Sequence, residues 1–213
     1  MSGPVYWFRS FLCCDPFGPG CILITVTSPF AIDVPSSLLT RARNGEAAAF
    51  EQLYRWFERP VFTLALRLCG QREEAQDILQ ETMLKLFGKI SEFRGDAPFW
   101  GWLRQIAVNE CLMRLRKRHP TQELDIESES DYLEADILLP PQAADAQLLA
   151  QAMNQLPATT RSVLWLYHVE GYTHDEIAGL MDKTISFSKS QCARGGKKLR
   201  ELLNIDKEVL SHG

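Results

Sequence analysis

From Leu38 onward the apolar residues recur at helical spacing, and no stretch alternates in the manner of a half-buried strand. Phe50, Leu53, Tyr54 and Phe57 fall three and four apart, and Val61, Leu64, Ala65 and Leu68 resume the rhythm after Pro60. Proline lacks an amide donor and crowds the preceding turn, so Pro60 is expected to open or kink a second segment, which Gly70 ends. The clearest repeat follows: Ala75, Ile78, Leu79, Thr82, Met83, Leu86, Phe87 and Ile90 share one face, expected to be core. Glu74, Asp77, Gln80, Glu81 and Leu84 share the other, an acidic strip with an apolar rim and no basic residue before Lys85.

A turn at Arg94-Gly95-Asp96 leads to Pro98, which suits a first helical turn, and then to a long helix through Phe99, Leu103, Ile106 and Ala107. That helix ends in Arg114, Arg116, Lys117 and Arg118, before Pro120. Further on, Leu148, Leu149, Ala152 and Leu156 mark an amphipathic helix stopped by Pro157. The segment from Arg161 to Val169 is apolar nearly all round, so it should be central, and Gly171 ends it. Thr173-His174-Asp175-Glu176 has the form of a capping box ahead of Ile177, Ala178, Leu180 and Met181. Thr184 can cap one more helix, from Ile185 to about Leu203. Two helices joined by so short a turn, the second rich in Lys and Arg, are the signature of a helix-turn-helix. On that last helix Ile185, Ser188, Cys192 and Leu199 fall on the side expected to be buried. Phe187, Ser190, Arg194 and Lys198 fall opposite, with Gln191 at the flank.

Composition narrows the class. With 213 residues, 46% hydrophobic and 23% charged, the chain has room for one medium or two small globular domains, which excludes rods and wholesale disorder. No apolar run approaches the roughly 18 residues of a membrane span. The net charge of −4 conceals an asymmetry: residues 38–118 carry 14 bases and 10 acids, 119–150 none and eight, and 151–213 eight and seven. An acidic chain can therefore present basic faces on two folded parts, because nucleic-acid affinity follows the local field. The expected architecture is all-α, with small helical domains at 38–118 and 143–205 joined by an acidic linker, 119–142. Residues 1–37 read as an appended extension and 206–213 as a tail. Six cysteines form no CxxC pair; Cys69, Cys111 and Cys192 lie within helical patterns and should be buried thiols. Cys13, Cys14 and Cys21 lie in the extension, which lacks the features of a secretory signal, so a cytoplasmic protein without metal or cofactor is expected.

Two stripes carry candidate chemistry. On the Phe99–Arg118 helix, Trp102, Gln105, Asn109 and Arg116 share a stripe. Amides read base edges, guanidinium holds phosphate, and aromatic rings give unstacked bases a surface worth about 1–3 kcal/mol each. Phe93, Phe99, Trp100 and Trp102 bracket the turn before it; Phe99 is expected in the core and Trp100 outside it. On the last helix, Arg and Lys suit phosphates, while Gln, Ser or an apolar group suits base edges and the thymine methyl. An enzyme reading would have to use His168 and His174 with Glu170, Asp175 and Glu176. Their spacing does not set two imidazoles on one helical face, Gly171 interrupts the helix between them, and no phosphate-binding or nucleophile motif occurs. A non-enzymatic protein is expected.

The motifs Asp77-Ile78-Leu79-Gln80-Glu81, Phe93-Arg94-Gly95-Asp96 and Trp102-Leu103-Arg104-Gln105-Ile106-Ala107-Val108-Asn109 resemble region 2 of the extracytoplasmic-function sigma factors of bacterial RNA polymerase, in the sigma-70 family. Leu156-Pro157, Val169-Glu170-Gly171-Tyr172-Thr173, Glu176-Ile177-Ala178 and Lys189-Ser190 resemble region 4 in the correct order and spacing. The resemblance implies a promoter-specific initiation factor whose partners are core RNA polymerase and promoter DNA, with an anti-sigma factor or a kinase as regulator. Asp77, Gln80, Glu81 and Leu84 would dock on the β′ coiled-coil, with the β flap as a further polymerase contact. Phe93, Trp100, Trp102, Arg104, Gln105, Asn109, Arg116, Lys117 and Arg118 would engage the −10 element as single strand. Thr184, Ser186, Phe187, Lys189, Ser190, Gln191, Arg194 and Lys198 would read the −35 element as duplex.

Several residues depart from the family pattern. Gln76 stands where an acid often adjoins Asp77, which implies weaker docking, restored by a partner or by a negative modification on Thr82 or a neighbour. Asp182 replaces the usual turn glycine and Ser188 a usual valine. Gly195-Gly196 replace helix formers, at about 1 kcal/mol each relative to Ala, so the helix either ends near Arg194 or is held through by packing. The alternative reading is a free-standing helix-turn-helix regulator that binds duplex DNA without polymerase. Such a protein has no need of the Trp102, Gln105 and Asn109 stripe.

Overall fold

The computed structural model describes residues 31–118 and 144–203, the side chains of 144–147 excepted. The expected extension, linker and tail fall almost wholly outside those bounds. The described residues contain eight α-helices, one 3-10 turn and no strand, and they divide into two compact units, one within Thr27–Pro120 and one after it.

In the first unit α1 (Ser36–Arg43) lies on α2 (Ala47–Cys69), and α2 packs against α3 (Arg72–Lys89) and α4 (Phe99–Arg118), which also pack on each other. The predicted stripes close this core. Leu53, Phe57, Val61, Leu64 and Leu68 of α2 are buried with Ala75, Ile78, Leu79, Met83 and Leu86 of α3 and Leu103, Ala107, Cys111 and Leu112 of α4. Pro60 neither opens nor ends a segment: α2 runs through it for 23 residues. The apolar stripe stays in register across the proline, and burial of Phe57, Val61 and Leu64 outweighs the roughly 3 kcal/mol cost of an interior proline. Phe87 also departs from expectation. At the edge of the α3 stripe it remains 45% exposed, its ring 4.2 Å from that of Phe50. Beneath the surface, Lys85 of α3 pairs with the buried Glu110 of α4.

In the second unit α5 (Ala144–Asn154), α6 (Ala158–His168) and α7 (His174–Met181) all pack against α8 (Ile185–Leu202). Val163, Leu164 and Leu166 are buried, as the all-round apolar pattern of α6 requires. The capping box is formed in both halves, the Thr173 hydroxyl accepting from the Glu176 amide at 3.2 Å and the Glu176 carboxylate accepting from the Thr173 amide at 2.8 Å. Of the two outcomes left open for Gly195-Gly196, the structure takes the continuous helix. The reason is contact: a Cβ on Gly195 would stand 2.6 Å from both Leu164 Cδ1 and Thr160 Cγ2, so the glycine lets α8 approach α6. Cys69, Cys111 and Cys192 are buried thiols outside any disulfide.

Candidate polymerase and nucleic-acid interfaces

Helical periodicity puts Asp77, Gln80, Glu81 and Leu84 on the outer face of α3, and all four are exposed, Leu84 to 63%. The strip is less purely acidic than its sequence, because the basic end of α4 folds back beside it. Arg114 donates to Asp77 Oδ2 at 3.0 Å and Arg118 to Glu74 Oε2 at 3.3 Å. These pairs join residues far apart in the chain, so no local pattern announces them. Thr82, considered above for modification, is fully buried on the inner face of α3 and cannot receive a group in the folded protein.

The aromatic cluster before α4 is tighter than expected. Phe93 is only 7% exposed; its ring lies edge-on to Phe99 at 5.3 Å and 5.5 Å from Trp102. Arg43 of α1 closes the other side, its guanidinium 5.8 Å from the Phe93 ring and donating to the Phe93 carbonyl. Phe93, expected to be offered to DNA, is therefore part of the support on which Trp102 rests. Trp102 and Trp100 are both half-buried, and the Arg104 guanidinium lies over the Trp100 indole at 5.2 Å. One turn on, Gln105 donates to Asn109 Oδ1 at 3.3 Å, so the two amides stand together at the surface. Arg116, Lys117 and Arg118 are exposed at the end of α4. The amide pair, the indoles and the basic end thus lie along one helix, as the spacing implied.

In the second unit the α7–α8 turn is built around Asp182, which takes the left-handed conformation (φ 54°, ψ 46°) in which glycine is usual. Short polar side chains enter this region at lower cost than others, which explains how Asp substitutes. Thr184 then caps α8 by accepting from the Phe187 amide at 3.1 Å. Ser186, Lys189, Arg194 and Lys198 are exposed, while Phe187 and Ser190 are half-buried. Ser190 donates its hydroxyl proton to the Phe187 carbonyl at 2.9 Å. Gln191 turns inward, its Oε1 accepting from the Thr160 hydroxyl at 2.6 Å. Its carbonyl oxygen thus serves the seam between α6 and α8. Ile185, expected on the buried side, is 44% exposed, and Thr184 and Ser186 on either side of it are exposed as well.

The histidines serve the same seam. His174 stacks on Tyr167 at 4.2 Å, and its Nδ1 lies 2.9 Å from Ser188 Oγ. The buried His168 ring reaches Cys192 Sγ at 3.7 Å, and burial, with the nearby His174 charge, pulls its pKa down to about 4. Ser188, the departure from valine, is thus a partner for His174. Among the described residues no group of three His, Cys, Asp or Glu could hold a metal ion, and no helix is long and apolar enough to cross a membrane.

Residues 53–121 match the family Sigma-70 region 2, and residues 146–199 match Sigma-70, region 4. Among curated proteins, the chain is similar to the ECF RNA polymerase sigma factor SigM of Mycobacterium tuberculosis, 34% identical over 170 residues that cover 79% of this chain and 84% of the relative. It is also similar to the RNA polymerase sigma-H factor of Pseudomonas aeruginosa, 28% identical over 177 residues, covering 78% and 92%. Among solved structures, the sigma factor RpoE of Bartonella quintana, crystallised with the anti-sigma factor NepR, aligns with a TM-score of 0.48 at 25% identity, covering 74% of this chain and 98% of that one.

Proposed function

This chain belongs to the extracytoplasmic-function sigma factors of the sigma-70 family and is an RNA polymerase sigma factor, and on that premise we propose which of its faces perform each part of promoter recognition. The outer face of α3, with Gln80, Glu81, Leu84 and the Arg114-paired Asp77, docks on core polymerase. The α4 stripe of Trp102, Gln105 and Asn109, standing on Phe93, receives the −10 strand together with the Trp100–Arg104 pair of the same helix, and Arg116, Lys117 and Arg118 hold its phosphates. The outer face of α8, with Ser186, Lys189, Arg194 and Lys198, enters the −35 major groove. Gln191 acts there as a positioning residue between α6 and α8. The observation that carries this reading is the α7–Asp182–α8 hairpin, which turns four exposed polar or basic side chains outward while Ser188, Cys192, Gly195 and Leu199 seal against α6 and α7. Such a protein contributes no catalytic residue of its own and acts in the cytoplasm, where polymerase and promoters are. The regulator proposed for it is an anti-sigma factor.

The test is run-off transcription from a promoter library with purified core polymerase, comparing the native chain with Glu81→Ala/Leu84→Ala. Both residues are exposed, so the double variant should fold normally and lose initiation by tenfold or more. Undiminished initiation would overturn the docking assignment. Tight duplex binding without polymerase, and no initiation with it, would favour a free-standing regulator.

A further inference from the structure

The first turn of α8 holds an apolar side chain where a groove-entering helix meets base edges. The Thr184 cap starts the helix at Ile185, so this isoleucine is its first helical residue, and it stands 44% exposed. Lys189, one turn later and on the same line of the helix, is exposed as well and supplies a cation for the backbone phosphate. A lone exposed isoleucine is ordinary on a protein surface. This one differs by its address, since N-terminal residues of a recognition helix are those that contact base edges. Three polar groups nearby are engaged within the protein, Gln191 Oε1 with Thr160, the Ser190 hydroxyl with the Phe187 carbonyl and the buried Ser188 with His174, which leaves Ser186 and Lys189 as the exposed polar neighbours of Ile185. In the major groove only thymine offers a methyl group, and an apolar side chain is its natural complement.

Resting on the assignment of α8 to the −35 duplex, we propose that Ile185 is a specificity-determining residue that seats against the 5-methyl group of a thymine. The preference it creates is apolar: thymine is chosen for its methyl group, so uracil, which pairs identically but lacks it, is disfavoured. One buried methyl group corresponds to about a fourfold difference in affinity.

The experiment uses the full chain assembled with core polymerase. A −35 region randomised within a fixed promoter is selected for holoenzyme binding, and each thymine that emerges is replaced singly by uracil in synthetic duplexes. With the native chain, uracil at one selected position should weaken binding about fourfold; with Ile185→Ala the same replacement should change it less than twofold. A first-turn, exposed position tolerates alanine, and retained −10-dependent binding by the variant confirms that it is assembled. Uracil tolerated at every selected thymine, an equal loss in Ile185→Ala, or selection of a −35 sequence with no thymine each overturns the proposal while leaving the −35 assignment standing. Failure of the holoenzyme to select any −35 sequence overturns the assignment itself, and the proposal with it.

Discussion

Adjacent glycines in α8 should respond to the same substitution with opposite signs. Helix propensity alone makes Gly→Ala favourable by about 1 kcal/mol at either position. At Gly196 nothing lies within 4 Å of an added Cβ, so Gly196→Ala should raise the stability of the second unit by about that amount. At Gly195 the new methyl group would stand 2.6 Å from two carbons, Leu164 Cδ1 and Thr160 Cγ2. That is roughly 1 Å inside the ~3.5–4.0 Å optimum for carbon pairs. Leu164 is 1% exposed and has little room to retreat. Thr160 is held by its hydrogen bond to Gln191 at 2.6 Å, so rotating its methyl group away loses a bond worth about 0.5–1.5 kcal/mol. Overpacking of this kind costs about 1–3 kcal/mol, and the engaged Thr160 puts Gly195 toward the upper end. The net expectation for Gly195→Ala is a loss of about 2 kcal/mol, some 3 kcal/mol apart from its neighbour. Urea unfolding of the full chain, followed by amide exchange in peptides from α6 and α8, isolates the second unit. A Gly195→Ala variant as stable as Gly196→Ala would refute the close-approach account of why α8 is continuous.

Other perturbations probe the two cores. The Thr82 hydroxyl is buried without a hydrogen-bond partner, so Thr82→Val, nearly isosteric, should raise the stability of the first unit by about 1 kcal/mol in urea titrations; a loss would show that the hydroxyl is used. Lys85→Met strands the buried Glu110 carboxylate and should cost about 2–4 kcal/mol, most of it recovered in Lys85→Met/Glu110→Leu; an additive double variant would mean the pair does not interact. His168 stays neutral in the fold down to about pH 4 but takes a proton near 6.5 when unfolded, so the unfolded state binds more protons in between. Its contribution is complete above pH 6.5 and is lost as pH falls toward 4, about 3 kcal/mol at most. His168→Phe should flatten that part of the stability profile, and parallel profiles for variant and native chain would reject this cause.

The chain alone determined what depends on neighbours a few residues away. Apolar spacing at three and four places the helices, and the Thr173/Glu176 box, the Thr184 cap and the breaks at Gly70 and Gly171 bound them, because each acts within one helical turn. The outward faces of α3, α4 and α8 were legible for the same reason. What the tertiary structure decided are contacts between distant residues. Pro60 is carried through a continuous helix by packing on α3 and α4, and Phe93 is drawn under Trp102 by Phe99 and Arg43. Asp77 meets Arg114 across 37 residues, and Gln191 turns from the groove face to Thr160 across 31. Ile185 is left 44% exposed although it lies on the side of α8 expected to be buried, and Gly195 matters because Leu164 lies against it. Periodicity states which way a side chain points from its own helix; whether a neighbour stands there to meet it depends on where the other helices lie.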